Sequence, residues 1–199
     1  MPEQITVYCY DELPPDIKEK VRDEYRTNGF GYDWWDFVHE DFVAILETLG
    51  FYNVKTYFSG FWSQGDGACF EAQYRYSAGW KNKLKEYLGE KDLEYFTNQV
   101  GQPLQDLQRR HGYQLIVKTV HRGYYCHENT MYHEFYPDGY LHCNYDAEQE
   151  QSFREACRDA ARWYYRELEE KYNYLSSDKA IDEELEDMDR LYLEDGRRV

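Results

Sequence analysis

The sequence has 199 residues with 39 Asp or Glu against 23 Lys or Arg, a formal net charge of −16, and Tyr, Phe and Trp together make up 19% of it. Disordered acidic chains are poor in aromatics, so this composition describes a folded protein of a size for one sizeable domain. The same charge excludes a duplex nucleic-acid binder, which needs a basic footprint, and adhesion to anionic membranes.

The apolar runs are only a few residues long, far short of the roughly 20 needed to cross a bilayer. Met1 to Tyr10 lack a basic stretch followed by an apolar one, so no secretory signal is expected. Cys9, Cys69, Cys126, Cys143 and Cys157 are odd in number, scattered and without C-x-x-C spacing, which reads as reduced thiols in a cytoplasm.

The excess charge is concentrated. Residues 1–41 hold 11 acids and four bases, and residues 178–195 hold nine acids and two bases, so each block is net −7. The intervening chain is nearly neutral. Side by side, the two blocks form one negative surface; apart, they form two.

In chain order, Ile5, Val7 and Cys9 alternate as a short strand. Pro14-Pro15-Asp16 opens a helix that runs to Arg26 and is closed by Asn28-Gly29. A second helix starts near Asp33, with Trp35, Val38, Phe42, Ile45 and Leu49 as its buried stripe and Gly50 as its stop. Val54 to Phe58 is a strand, as is Ala68 to Tyr76, where apolar and polar residues alternate; the loop Gly60 to Gly67 joins them as a hairpin. Residues 79–111 read as two or three short helices. Strands follow at Tyr113–His121, Tyr124–Glu128, Thr130–Tyr136 and Tyr140–Asn144. A long helix from Asp146 carries Phe153, Cys157, Ala160, Tyr164, Leu168 and Leu175 on one face. Ser176-Ser177-Asp178 then caps a shorter acidic helix, and Tyr192-Leu193 forms a brief strand or docked tail. The expected fold is a single α+β domain over residues 1–199. It has an antiparallel sheet of about five to seven strands covered by helices from both ends, with 178–199 as a peripheral element.

Two segments stand out as binding surfaces. In the glycine-rich loop Ser59 to Gly67, Phe61 and Trp62 offer stacking, while Ser63, Gln64 and Asp66 offer polar contacts. It is neither a phosphate loop, since no Gly-Lys-Ser/Thr follows, nor a hydrolase elbow, since Phe61 replaces the first glycine of G-x-S-x-G. The competing reading is a hairpin loop tucked onto the core. The second surface is acidic. Asp33 and Asp36 flank Trp34, either an anchor for a basic partner or a side chain packed inside, and Glu183, Glu184, Glu186 and Asp187 line the last helix.

His121, Cys126, His127, His133, His142 and Cys143 invite a metal reading, but their spacing is irregular and none is assigned as a ligand. No cofactor is expected. No carboxylate pair sits in a recognisable catalytic motif, a nucleophile pair of Cys126 or Cys143 with a histidine is a matter for geometry, and no catalytic residue is assigned.

Trp34-Trp35-Asp36-Phe37-Val38, FSGFWSQGDGACF (Phe58 to Phe70), HRGYYCHENTM (His121 to Met131), YNYLSSDKAIDE (Tyr172 to Glu183) and LEDGRR (Leu193 to Arg198) resemble a family of bacteriophage and prophage proteins. Members are often called hypothetical and sometimes labelled an antitoxin of a toxin–antitoxin system. The resemblance implies a viral accessory protein acting in the cytoplasm of a bacterial host. The leading expectation is a non-enzymatic acidic binder, anti-defence or antitoxin-like, that inhibits a host or toxin protein by covering its basic nucleic-acid-binding surface. The alternatives are a nucleotide-binding protein using Ser63–Gly67 and a metal-dependent enzyme using residues 121–143.

Overall fold

A computed structural model describes residues 5–28, 30, 33–111, 115–137 and 147–199. A 3-10 turn at Tyr10–Glu12 precedes α1 (Pro15–Asn28), α2 (Asp36–Leu49), β1 (Phe51–Phe58) and β2 (Ala68–Tyr74). Next come α3 (Trp80–Leu84), α4 (Glu90–Tyr95), a π turn at Phe96–Gly101 and α5 (Gln102–His111). The chain ends with β3 (Leu115–His121), a 3-10 turn at Glu128–Thr130, β4 (Met131–Pro137), α6 (Ala147–Leu175) and α7 (Asp178–Asp187). No described helix is long and apolar enough to cross a membrane.

The fold is α+β, and it divides into two compact units: one built from both chain ends (residues 1–35 and 170–199), the other from residues 36–169. In the larger unit, β1-β2-β3-β4 form an antiparallel sheet in that order. Ala68, Phe70, Ala72 and Tyr74 point to the buried face as the alternation of β2 requires. Helices α2 and α6 cover that face through aromatic contacts. Phe42 of α2 stacks parallel to Tyr164 of α6 at 4.3 Å and meets Phe70 edge-on at 5.7 Å. Phe153 of α6 packs on Tyr74 at 5.5 Å. Phe42 is fully buried, so truncation to Ala costs about 3–5 kcal/mol. Gly101 is obligatory for a different reason: a Cβ there would stand 2.3 Å from the Trp80 ring.

The smaller unit has its own core of Tyr10, Leu13, Ile17, Val21, Ile181, Leu185 and Tyr192. Tyr192 bridges Tyr8 on one side and Arg198 on the other, so both chain ends are tied by single backbone pairings. Ser177 caps α7 by accepting the Ala180 N–H at 3.3 Å.

Several sequence expectations need correction. Among the described residues the sheet has four strands, not five to seven. The strand at Ile5–Cys9 is reduced to the Tyr8 bridge. The strand at Tyr124–Glu128 is instead the loop of the β3–β4 hairpin: Gly123 turns the chain at φ 121° and Arg122 N–H donates to Thr130 O at 3.1 Å. The strand at Tyr140–Asn144 and the helix stop at Gly29 lie outside the described residues. Helix α2 begins at Asp36, so Trp34 and Trp35 both precede it and the stripe expected to bury Trp35 does not reach that residue. Trp34 is the buried one, at 6% exposure, and Trp35 is half-buried.

The larger unit encloses a titratable group that water would normally serve. His133 Nδ1 meets the buried Thr119 hydroxyl at 3.1 Å, and Phe153 lies edge-on to its ring at 5.4 Å. Its Nε2 is buried with no hydrogen-bond partner among the described residues. Burial first, then the Arg154 and Arg158 charges, push its pKa down to about 4. An unfolded histidine titrates near 6.5, so between these values the unfolded chain takes up a proton that the folded one refuses. Stability is therefore lost as pH falls. Between pH 7.5 and 4.5, urea unfolding of the wild type should lose about 2.5 kcal/mol more than that of His133→Gln. Equal losses would contradict this.

Candidate functional site

In the larger unit, the two most unusual sequence motifs converge. The loop between β1 and β2 is closed at its neck by Ser59 N–H donating to Gly67 O at 3.2 Å. Within it, Ser63 N–H donates to the Asp66 carboxylate at 2.7 Å and Asp66 N–H donates to Ser63 O at 3.0 Å. Phe61 packs between Phe58 and Tyr165, with ring centroids at 5.8 and 5.5 Å, and the Tyr165 hydroxyl donates to Gly60 O at 3.2 Å. Trp62 stays 71% exposed and has a left-handed backbone at φ 69°, a conformation that costs a bulky residue about 1–2 kcal/mol.

The β3–β4 turn lies directly against this loop. Gly65 faces the Tyr125 ring, where a Cβ would stand at 2.9 Å, and Gly67 faces the backbone of Cys126 and His127, at 2.8 and 3.1 Å. Tyr124 is 93% exposed beside Tyr125. The turn is braced from within: Thr130 Oγ1 donates to His127 O at 2.7 Å, and His127 Nδ1 accepts the Asn129 N–H at 3.1 Å.

The contact between loop and turn has a chemical result. Cys69 shares the parity of Glu71 and Gln73, both half-exposed, yet it is fully buried. Its thiol, a ring nitrogen of His121 and the Cys126 thiol all lie within 4.8 Å of one another. His121 Nε2 pairs with Tyr125 O at 2.9 Å, and its ring packs on Tyr57 at 5.2 Å. Glu71 accepts from the His121 N–H at 3.3 Å and from the Tyr57 hydroxyl at 3.2 Å. Burial, followed by the neighbouring Cys126, pushes the Cys69 thiol up to about 12, and burial raises Cys126 as well. Both thiols are therefore protonated at neutral pH, the opposite of what a cysteine nucleophile requires. Sequence reasoning did not connect Cys69 with this cluster, since 57 residues of chain separate it from Cys126. The rings of His127 and His133 are not among the clustered groups, and His142 and Cys143 lie outside the described residues.

In the smaller unit, α7 carries six acids and one base, and it faces α1, which carries four of each. Arg22 holds both oxygens of Asp182, at 2.7 and 3.2 Å, and pairs with Glu19 at 2.5 Å and Asp178 at 3.6 Å. Arg26 pairs with Asp23 at 2.7 Å and with Asp178. The Tyr10 hydroxyl also donates to Asp182, whose pKa the Arg22 guanidinium and this hydroxyl hold down against the effect of burial. The other acids of α7 are different. Glu183 has Lys179 at 3.8 Å, whereas Glu184, Glu186 and Asp187 make no ion pair among the described residues. Asp33 and Asp36 are exposed, but Trp34 between them packs on Trp35 and Tyr172, each at 5.6 Å, and presents no ring to a partner. The exposed aromatic of that stretch is Phe37, at 71%.

Residues 34–178 match the profile of a family described as a domain of unknown function, DUF8835. The chain belongs to that family. The matched span contains the β1–β2 loop, the β3–β4 turn and the thiol–imidazole cluster, while α1 and all but the first residue of α7 lie beyond it. Comparison with curated proteins and with solved structures finds no match.

Gly67→Ala forces the Cys126–His127 backbone away and should cost about 1–3 kcal/mol. It should also speed alkylation of Cys69. In the native protein the order of alkylation should be Cys9, then Cys126, then Cys69, read by peptide mass spectrometry under brief labelling; Cys69 labelling as fast as the exposed Cys9 would refute the sealed cluster.

Proposed function

We propose that this chain is a non-enzymatic phage accessory protein, anti-defence or antitoxin-like, working in a bacterial cytoplasm. Its acidic unit docks onto the basic, nucleic-acid-binding surface of a host or toxin protein. The observation that carries this reading is that one unit holds the whole C-terminal block and most of the N-terminal one, Asp36, Glu40 and Asp41 falling in the other unit. Residues 1–35 and 170–199 together hold 18 acids and nine bases, net −9 over 65 residues. Arg22 and Arg26 are engaged with the inner carboxylates of α1 and α7, which leaves Glu183, Glu186 and Asp187 exposed on α7 and Glu184 half-buried in a hollow shared with Val21 and Glu24. A dense row of carboxylates competes for a basic groove by the same charge pairing and counterion release that DNA uses.

The loop gives less support to a nucleotide-binding role. The Asp66 carboxylate already accepts the Ser63 amide that an anion would take, and it adds a negative charge where a phosphate would sit. The raised thiol pKa values likewise favour binding over cysteine catalysis.

The test combines Glu183→Gln, Glu184→Gln, Glu186→Gln and Asp187→Asn in one variant. Immobilised wild-type protein should capture its partner from bacterial lysate at low salt and release it on addition of duplex DNA. The variant should capture at least about tenfold less, because each lost phosphate-like contact weakens a salt-dependent complex. Capture that is indifferent to salt, to DNA and to the four substitutions would overturn the reading.

A further inference from the structure

We propose that Cys69, His121 and Cys126 bind one zinc-class divalent cation through two thiolates and one imidazole, leaving the fourth position open to water or an outside ligand. The site comes from three separate pieces of chain: β2 supplies Cys69, the end of β3 supplies His121, and the hairpin turn supplies Cys126. Tetrahedral zinc with Zn–S bonds of about 2.3 Å and Zn–N bonds of about 2.0 Å holds its ligand atoms roughly 3.6–3.8 Å apart. The three atoms already lie within 4.8 Å of one another, so each pair need close by only about 1 Å.

The surroundings match what a metal-bound imidazole needs. A carbonyl oxygen only accepts, so Nε2 carries the proton donated to Tyr125 O, and Nδ1 is the ring nitrogen left to take a cation. A ligand histidine is commonly oriented in this way by a backbone carbonyl. Tyr57 holds the other side of the ring, and Glu71 holds the His121 backbone N–H. Two sulfurs and a nitrogen select a soft or borderline cation such as Zn²⁺ over Mg²⁺ or Ca²⁺. The proton balance is simple: two protonated thiols become two thiolates, and two protons leave to solvent for each cation bound. The bound cation would tie the β3–β4 turn to β2, the junction that Gly67 already makes close.

This inference is independent of the acidic docking surface, which lies on other residues. It is tested by titrating the purified, reduced protein with Co²⁺ and then Zn²⁺. One Co²⁺ per chain should bind with thiolate-to-cobalt charge-transfer absorption and tetrahedral visible bands, and one equivalent of Zn²⁺ should displace it with release of two protons. Cys69→Ser, Cys126→Ser and His121→Asn should each weaken binding at least about tenfold, while Cys9→Ser leaves it unchanged. In the wild type, Zn²⁺ should shield Cys69 and Cys126 from alkylation without shielding Cys9, a readout that holds if a variant fails to fold. Reduced protein that binds no Co²⁺ through thiolate, binding that survives loss of either cysteine, or alkylation unaffected by Zn²⁺ would each overturn the proposal. A Cys69–Cys126 disulfide in a chain that takes up no metal after reduction would do the same.

Discussion

The acidic helix α7, with six acids and one base, lies against α1, with four of each, because two arginines of α1 stand between them. Carboxylates on facing helices repel, and α1 and α7 together with the flanking chain ends carry a net charge of −9. Arg22 grips both oxygens of Asp182 in a fork that a lysine cannot form, and it reaches Asp178 and Glu19 as well. Arg26 repeats the arrangement one turn on, with Asp23 and Asp178. Two guanidiniums offset half the charge of Glu19, Asp23, Asp178 and Asp182, and the exposed Glu183, Glu186 and Asp187 of α7 add to what remains. An apolar core of Ile17, Val21, Ile181 and Leu185 lies under the same seam, so burial and charge pairing reinforce each other.

The larger unit answers a different constraint with the absence of side chains. Gly67 lets the β1–β2 loop and the β3–β4 turn meet at backbone distance, where a Cβ would have to move the turn, and Gly65 leaves room for the Tyr125 ring. That contact buries Cys69 on what would otherwise be the wetter side of β2, and it places two thiols and an imidazole together. The glycine spacing that makes the motif conspicuous in sequence thus serves packing first. Within the loop, the Ser63 amide is already held by the Asp66 carboxylate.

Elements with strong local periodicity were legible in the sequence. The alternation of β2, the second half of the α2 stripe, the long face of α6 and the Ser177 cap all come from signals within one turn or one pleat. The errors arose where tertiary context decides. Ile5 to Cys9 alternates like a strand but finds only Tyr192 to pair with, and Tyr124 to Glu128 is claimed by the turn that Gly123 and Thr130 close. Trp34 exchanged places with Trp35 because α2 starts three residues later than Asp33 suggests. The division into two units left no compositional mark, since one boundary falls within α6 and the other at the start of α2. Cys69 joining His121 and Cys126 depends on strand order and loop approach, and neither is written in local spacing.

The central claim is that the acidic unit, rather than the glycine loop, meets the partner. Hydrogen–deuterium exchange of the chain, alone and in complex with the protein it captures, tests this most directly. New protection on α1 and α7, weakening as salt is raised, is the predicted result. Protection confined to residues 59–67 and 122–130, with α1 and α7 unchanged, would contradict it.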